Sequence, residues 1–357
     1  MKKKILINAS CIKHSNSTGV AKYALKIIDE LITQNDENFI FTIICFKGFF
    51  KEKKQVKYIY INDFFKIGFL HIFWNTIIYS AYLLNFDLGY SPASYGSFIS
   101  KKQVITIHDL ICFKSPKKYL YQYIYLYLSC YIWLKFLKVN IIAISETTRE
   151  EIFKSFGSYK NVNVVYNGLS KSEKFIPVRI NYKYFLIVGA EFPHKNTAFI
   201  LSSYSKLSYQ VKQKYKLVIV SKKSNYHDEI RKLSSSLNLE NNVIFKGYVS
   251  DNDLQNLYSN ASLFLVASKY EGFGFTPYEA LSKGCDVLIS DIGIFREVYK
   301  SYANYFSIGD EVDFNNKINF ILENKSKELN FNNSYLLSEE YSWKNTVINL
   351  LKVFNEI

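Results

Sequence analysis

The chain is poor in the residues that staple small proteins together. It holds 5 cysteines in 357 residues (Cys11, Cys45, Cys112, Cys130 and Cys285), none in a CxxC pair and none clustered with histidine. An odd, scattered set excludes a disulfide framework and a zinc ribbon, and reads as reduced thiols in the cytosol. No low-complexity tract and no short internal repeat is present, so fibrous and solenoid architectures are excluded. The apolar run behind the opening lysines stops at Asn8. That is too short for the core of an export signal, and it reads as a first buried strand. No recognised nucleic-acid module accompanies the basic charge, so no nucleic-acid partner is expected.

What is present is ordinary globular material with one bias. Hydrophobic residues make up 48% and charged residues 21%, enough for two cores, and the length suits two domains. The net charge of +14 is one-sided. Residues 1–180 carry 25 Lys and Arg against 12 Asp and Glu, a surplus of 13, whereas residues 181–357 carry 20 against 19. A basic half suggests a polyanionic partner, and an anionic membrane surface is the one expected here.

Short apolar runs alternate with helical patterns, the signature of parallel α/β sheets. Strands are expected at residues 5–9, 39–46, 56–61, 104–107, 141–144 and 162–166, and a second set at 184–188, 217–220, 243–245, 263–266 and 287–289. Residues 170–181, with Pro177 and several charges, read as the linker. The expected domains are 1–175 and 182–340, with a closing helix over 341–357. Residues 67–84 contain no full charge and residues 119–137 contain only Lys135. Their length alone is marginal for spanning a bilayer. His71, Asn75, Tyr79 and Tyr82 give the first a polar stripe at helical spacing, so both read as buried or interfacial helices. Lys114, Lys117 and Lys118 ahead of the Tyr-rich second segment suit docking on an anionic surface.

Residues 268–281 (SKYEGFGFTPYEAL) carry the most chemistry. They follow an apolar strand and lead into a helix, with Pro277 in its first turn. Two glycines at such a turn let backbone approach a ligand, and the helix start favours phosphate. Glu271 and Glu279 are eight apart, which lets two carboxylates meet different hydroxyls of one extended ligand.

This segment resembles the Glu-x7-Glu motif of glycosyltransferase family 4, and further matches follow in family order along the chain. They are 17–23 (STGVAKY), 106–110 (TIHDL), 144–149 (ISETTR), 165–168 (VYNG), 188–196 (VGAEFPHKN), 247–254 (GYVSDNDL) and 341–344 (YSWK). The resemblance implies two facing Rossmann-like domains (the GT-B arrangement), with the last helix crossing back to the first. It implies an N-terminal acceptor-binding domain and a C-terminal domain holding a nucleotide-sugar donor. Glu279 would accept hydrogen bonds from the donor's ribose. Glu271 would contact sugar hydroxyls near the reacting carbon. Phe273 and Gly274 would offer backbone N–H groups. Lys195 would neutralise the departing diphosphate. The family's usual neighbour of this lysine is arginine; here His194 stands in its place, and Arg149 or another lysine is the candidate second cation. His108 would position the donor sugar across the cleft, and Gly19 would let the first loop approach the diphosphate or acceptor. Asn167-Gly168 reads as a turn.

Asp251-Asn252-Asp253 imitates a metal-binding Asp-x-Asp, but Ser250 and Asp253 suit a helix start. The expectation is therefore no metal and no cofactor. The implied reaction is sugar transfer with retention, the leaving phosphate oxygen assisting the acceptor hydroxyl on the same face. The acceptor would be a surface polysaccharide, lipopolysaccharide or lipid-linked glycan, met at the inner face of the cytoplasmic membrane. A nucleotide-sugar epimerase or phosphorylase-like enzyme of the same fold, and an inactive binding relative, are the competing readings. A donor incubated without acceptor separates the first from a transferase.

Overall fold

The β-branched and aromatic runs pair as two separate parallel sheets in the computed structural model, which describes residues 2–14, 19–34, 36–172, 175–324 and 327–357. The chain divides into one unit of Met1–Gly168 with Tyr341–Ile357, and a second of Leu169–Glu340. In the first, β1 (Lys3–Asn8), β2 (Phe39–Phe46), β3 (Lys57–Ile61), β4 (Leu88–Ser91), β5 (Gln103–Ile107), β6 (Asn140–Ala143) and β7 (Val162–Val164) lie in the order β3-β2-β1-β4-β5-β6-β7. In the second, β8 (Lys183–Val188), β9 (Tyr215–Val220), β10 (Val243–Lys246), β11 (Leu263–Val266), β12 (Val287–Ser290) and β13 (Asn304–Phe306) lie in the order β10-β9-β8-β11-β12-β13. Both orders are Rossmann orders, reversing beside the unit's first strand.

The division falls at Gly168 and not inside the expected linker. Described residues of 169–181 stay with the second unit because its helices hold them. Ser172 Oγ donates to the Ser282 carbonyl at 2.6 Å, and the Val178 amide donates to Asn256 Oδ1 at 2.7 Å.

Strand alternation sends side chains of the first sheet to two faces. Ile5, Ile7, Ile43 and Val104 pack under the helix Gly19–Gln34 and the last helix, Trp343–Glu356, which contributes Val347, Leu350 and Phe354. Lys3 Nζ donates to the Phe354 carbonyl at 2.9 Å. The last helix therefore completes the first unit's core. Asn167 and Gly168 are not simply a turn. Asn167 is fully buried, and a Cβ on Gly168 would run into the Trp343 ring and lie 2.6 Å from its Cα.

The opposite face carries residues 67–84 and 119–137. Leu6, Ile44 and Phe46 receive Trp74, Tyr79 and Leu83; Ile105, Ile107 and Ile141 receive Leu126, Cys130 and Trp133. No helix among the described residues is long and apolar enough to cross a membrane. The first segment is a helix Gly68–Phe73, a π-turn Trp74–Ile78 and a helix Tyr79–Leu83; the second is Leu120–Tyr131 followed by a π-turn, Ile132–Leu137.

Most of the first segment's polar stripe faces inward. Asn75 Oδ1 accepts from Asn8 Nδ2 at 2.7 Å and from Ser10 Oγ at 2.9 Å, while His71 Nε2 lies 3.0 Å from the Ser10 carbonyl. The stripe satisfies buried polar groups at the end of β1. Phe69, Phe73 and Ile77 are left on the outside. Burial first, then the Lys13 charge, push His71 down to about 4.

Two outcomes follow for the first unit. Gly168→Ala should destabilise it by about 2 kcal/mol, the usual cost of overpacking, read as a lower urea midpoint. An unchanged midpoint would mean that Trp343 is not seated there. His71 is neutral in the fold but protonates near 6.5 when unfolded, so its contribution is full above pH 6.5 and declines as pH falls toward 4. The slope is about 1.4 kcal/mol per pH unit. Urea titrations between pH 6.5 and 5 should show a pH slope that is shallower by about this amount in His71→Asn than in wild type, the buried His108 supplying the rest.

Candidate active site

In the second unit, strand order reverses between β8 and β11, the place where parallel sheets offer a crevice at their carboxyl ends. The loops leaving these two strands are tied together. After β8 the chain passes Gly189, whose φ of +83° suits glycine, and enters a 3-10 turn, Pro193–Lys195. Asn196 then takes a left-handed conformation (φ 54°) and starts the helix Thr197–Ser205. After β11 the Lys269 amide donates to the His194 carbonyl at 2.8 Å.

That clamp sets Lys195 against Glu271. Lys195 Nζ lies 2.6 Å from Glu271 Oε1, and Ser268 Oγ donates to the same oxygen at 2.7 Å. The two side chains are only 20% and 11% exposed. Ser290, at the end of β12, holds the Ser268 carbonyl at 2.6 Å. Burial pushes the Glu271 carboxyl up, but the Lys195 charge and hydrogen bond, the Ser268 hydroxyl and His194 together hold it below its ordinary value. Glu271 is thus an ionised carboxylate in a nearly dry setting. His194 stacks on Phe192, with ring centroids 5.5 Å apart.

The loop then turns at Gly274, in the left-handed region (φ +82°) at the start of the helix Phe275–Leu281. A Cβ there would collide with the Phe295 ring, so both conformation and space require glycine. Phe273 is buried beside it. The buried Tyr299 hydroxyl donates to the Gly274 carbonyl and accepts from the Tyr278 amide at 3.0 Å. Glu279, on this helix, accepts from the Tyr258 hydroxyl at 2.9 Å. Asp253 belongs to a helix start: Ser250 Oγ accepts its amide at 3.1 Å and donates to its carboxylate at 2.6 Å. No group of three His, Cys, Asp or Glu that could hold a metal ion is found among the described residues.

The remaining expected residues belong to the first unit. His108 follows β5 and is buried; its Nε2 lies 2.8 Å from the Pro92 carbonyl and the Tyr23 ring meets it edge-on at 4.7 Å. Burial pushes its imidazole down to about 4 despite that carbonyl. A neutral ring with Nε2 facing an acceptor carries its proton there and leaves Nδ1 as an acceptor. Gly19 opens its helix with no described residue within 4 Å of the point where a side chain would begin, and Ser17 and Thr18 lie outside the described residues. Arg149 is paired with Glu146 at 2.5 Å. Lys114 is paired with Glu151 at 3.1 Å, whereas Lys117 and Lys118 are exposed.

Sequence reasoning did not find Ser268, Tyr258 or Tyr299, because their partners lie on other strands and helices. Only Ser268 carried a local signal, three residues before Glu271. It also passed over a cluster after β9, where Ser221 Oγ lies 2.5 Å from His227 Nδ1 and Arg231 Nε donates to His227 Nε2 at 2.9 Å. With arginine rather than a carboxylate behind the imidazole, this is no nucleophile–base pair.

The family model for glycosyl transferases group 1 matches residues 170–335. The O-antigen chain mannosyltransferase RfbU of Salmonella typhimurium is 32% identical over 234 residues, 65% of this chain and 64% of that protein. The O-antigen chain mannosyltransferase B of Escherichia coli is 29% identical over 212 residues, 56% and 55% of the two chains. The matches thus span less than two thirds of the length of these relatives. Among solved structures, sucrose-phosphate synthase from Thermosynechococcus elongatus superposes with a TM-score of 0.76 at 14% identity, covering 99% of both chains. Anabaena Alr3699/HepE, in complex with UDP and glucose, does so with a TM-score of 0.68 at 16% identity, covering 99% and 100%. These two likenesses concern the fold. The stretch that matches the glycosyl transferases group 1 model contains both Lys195 and the Glu271–Glu279 segment.

Proposed function

We propose that the chain moves a sugar, with retention, from a nucleotide-sugar donor to a glycan acceptor of a bacterial surface polysaccharide. The observation that carries this reading is the ionised, nearly dry Lys195–Glu271 pair at the strand reversal of the second sheet. Breaking a glycosyl–phosphate bond leaves negative charge on the diphosphate and positive charge on the sugar. A fixed cation beside a fixed carboxylate matches that separation without reorganising at the moment of reaction. In this reading Lys195 faces the diphosphate, with His194 beside it. Glu271 faces the sugar hydroxyls near the reacting carbon, Phe273 and Gly274 offer backbone N–H groups, and Glu279 takes the ribose. His108, neutral, accepts a substrate hydroxyl at Nδ1, and Gly19 leaves room for substrate at the first loop. The charge complement comes from the chain's own residues, and no metal or cofactor is invoked. The O-antigen relatives named as mannosyltransferases support a polysaccharide acceptor and make mannose the first sugar to test.

The same proposal puts the enzyme on an anionic membrane at the cytoplasmic inner face, where a lipid-linked acceptor would be met. Support comes from two apolar stripes on one face of the first unit. Phe69, Phe73 and Ile77 line one helical segment, and Tyr121, Ile124 and Leu128 line the other; Phe69 and Tyr121 are 73% and 87% exposed. Tyr95 bridges the two segments, meeting His71 at 4.7 Å and Tyr125 at 5.9 Å. Exposed Lys117, Lys118 and Lys135 accompany the second stripe. Apolar rings with a lysine fringe match the interfacial zone of an anionic bilayer.

Transfer assays on a panel of nucleotide sugars, with mannosyl donors first, test the chemistry. Glu271→Ala and Lys195→Ala should each lower kcat at least about a hundredfold, measured below the reduced thermal midpoint that an unpaired buried charge brings, where circular dichroism still matches wild type. Undiminished transfer by both variants would remove the site assignment. Vesicle flotation tests the surface. Binding to phosphatidylglycerol vesicles should weaken with salt and drop about tenfold or more in Phe69→Asp/Phe73→Asp and in Lys117→Glu/Lys118→Glu. Equal binding to neutral phosphatidylcholine vesicles counts against the charge argument.

A further inference from the structure

Glu279 is not the end of its own hydrogen-bond chain. Tyr258, near the end of the helix Asp251–Asn260, is buried, and its hydroxyl donates to Glu279 Oε2 at 2.9 Å. The ring cannot drift. It meets Phe264 of β11 edge-to-face, with centroids 5.3 Å apart and planes at 74°. One residue earlier, the Leu257 carbonyl accepts from the Tyr184 hydroxyl of β8 at 2.7 Å. The hydroxyl is therefore fixed to β8 and β11, the two strands whose loops present Lys195 and Glu271.

A glutamate side chain on a helix surface has three rotatable bonds, and ordering it on a ligand costs binding free energy. A buried hydroxyl that holds one carboxylate oxygen removes much of that cost before the ligand arrives. Burial, and then the Glu279 charge, keep the Tyr258 phenol protonated far above neutral pH. It acts as a permanent donor and never as a competing anion.

We infer that Tyr258 is a positioning residue for the nucleotide: its hydroxyl orients the Glu279 carboxylate, and through it sets how strongly the protein distinguishes ribose from 2′-deoxyribose. This rests on the reading of Glu279 as the ribose acceptor given above.

The test is calorimetric titration of the full chain with UDP, GDP and their 2′-deoxy counterparts, comparing wild type, Tyr258→Phe, Glu279→Ala and the double variant. The quantity read is the ratio of deoxy to ribo Kd within each protein, so partial unfolding of a variant cancels. Wild type should prefer the ribonucleotide that binds by about tenfold or more, the size of one lost charge-assisted hydrogen bond. Tyr258→Phe should reduce the ratio to about threefold or less. Glu279→Ala should bring it near one, with no further change in the double variant. A Tyr258→Phe protein that keeps the wild-type ratio while Glu279→Ala loses it overturns the inference, since a ring that only fills space lowers the thermal midpoint without touching the ratio. A Glu279→Ala protein that keeps the ratio, or binding of neither nucleotide, removes the ribose reading and this inference with it.

Discussion

Two opposite charges, Lys195 and Glu271, are held with little water around them, and the arrangement of the second unit's loops follows from that. Removing a carboxylate and an ammonium from solvent is costly for each alone, and their mutual attraction repays it only when geometry is good and the other lone pairs are served. Here the Ser268 hydroxyl serves Glu271, Ser290 holds Ser268, and the Lys269 amide locks the His194 carbonyl so that the lysine arrives in place. Two of those contacts, Ser290 to Ser268 and Lys269 to His194, join one strand or its loop to another's. The pair is therefore weak grounds for stability and stronger grounds for a task, because apolar side chains would close the same sheet edge at lower cost.

Around this pair, buried tyrosines do the fine placement. Tyr299 serves both the Gly274 carbonyl and the Tyr278 amide, and Tyr258 serves Glu279. A tyrosine suits such work because its ring packs as core while its hydroxyl satisfies a polar group that would otherwise be stranded. Glycine at 274 has the complementary role: the left-handed turn and the Phe295 ring leave no space for a side chain.

Much of this was legible in the sequence, and the failures have physical causes. The strands rich in Val, Ile and Phe announced themselves, as did the loop that carries Glu271. Strand β4, Leu88–Ser91, was hidden because Gly89 reads as a breaker; it is glycine because Tyr79 and Leu83 lie where its Cβ would be, 2.5 Å away. The short β13, Asn304–Phe306, has too few residues to show a period. Residues 67–84 showed their polar stripe plainly, but periodicity reports only that two faces differ, not which one meets the core. Asn8 and Ser10, far earlier in the chain, decide that. Gly168 gave no local sign of its neighbour either, since Trp343 is distant in sequence. Contacts between remote segments are what a single sequence withholds.

The last helix has a consequence for how the protein is made. Val347, Leu350 and Phe354 fill a core whose other walls, from Ile5 to Val165, are synthesised well before them. The C-terminal unit is one continuous stretch and can close as soon as it clears the ribosome. The N-terminal unit, although translated before it, must wait with an open apolar face until the helix Trp343–Glu356 emerges. Order of birth and order of completion are reversed for these two units, and a nascent chain stalled ahead of Trp343 would hold one finished unit and one unfinished one.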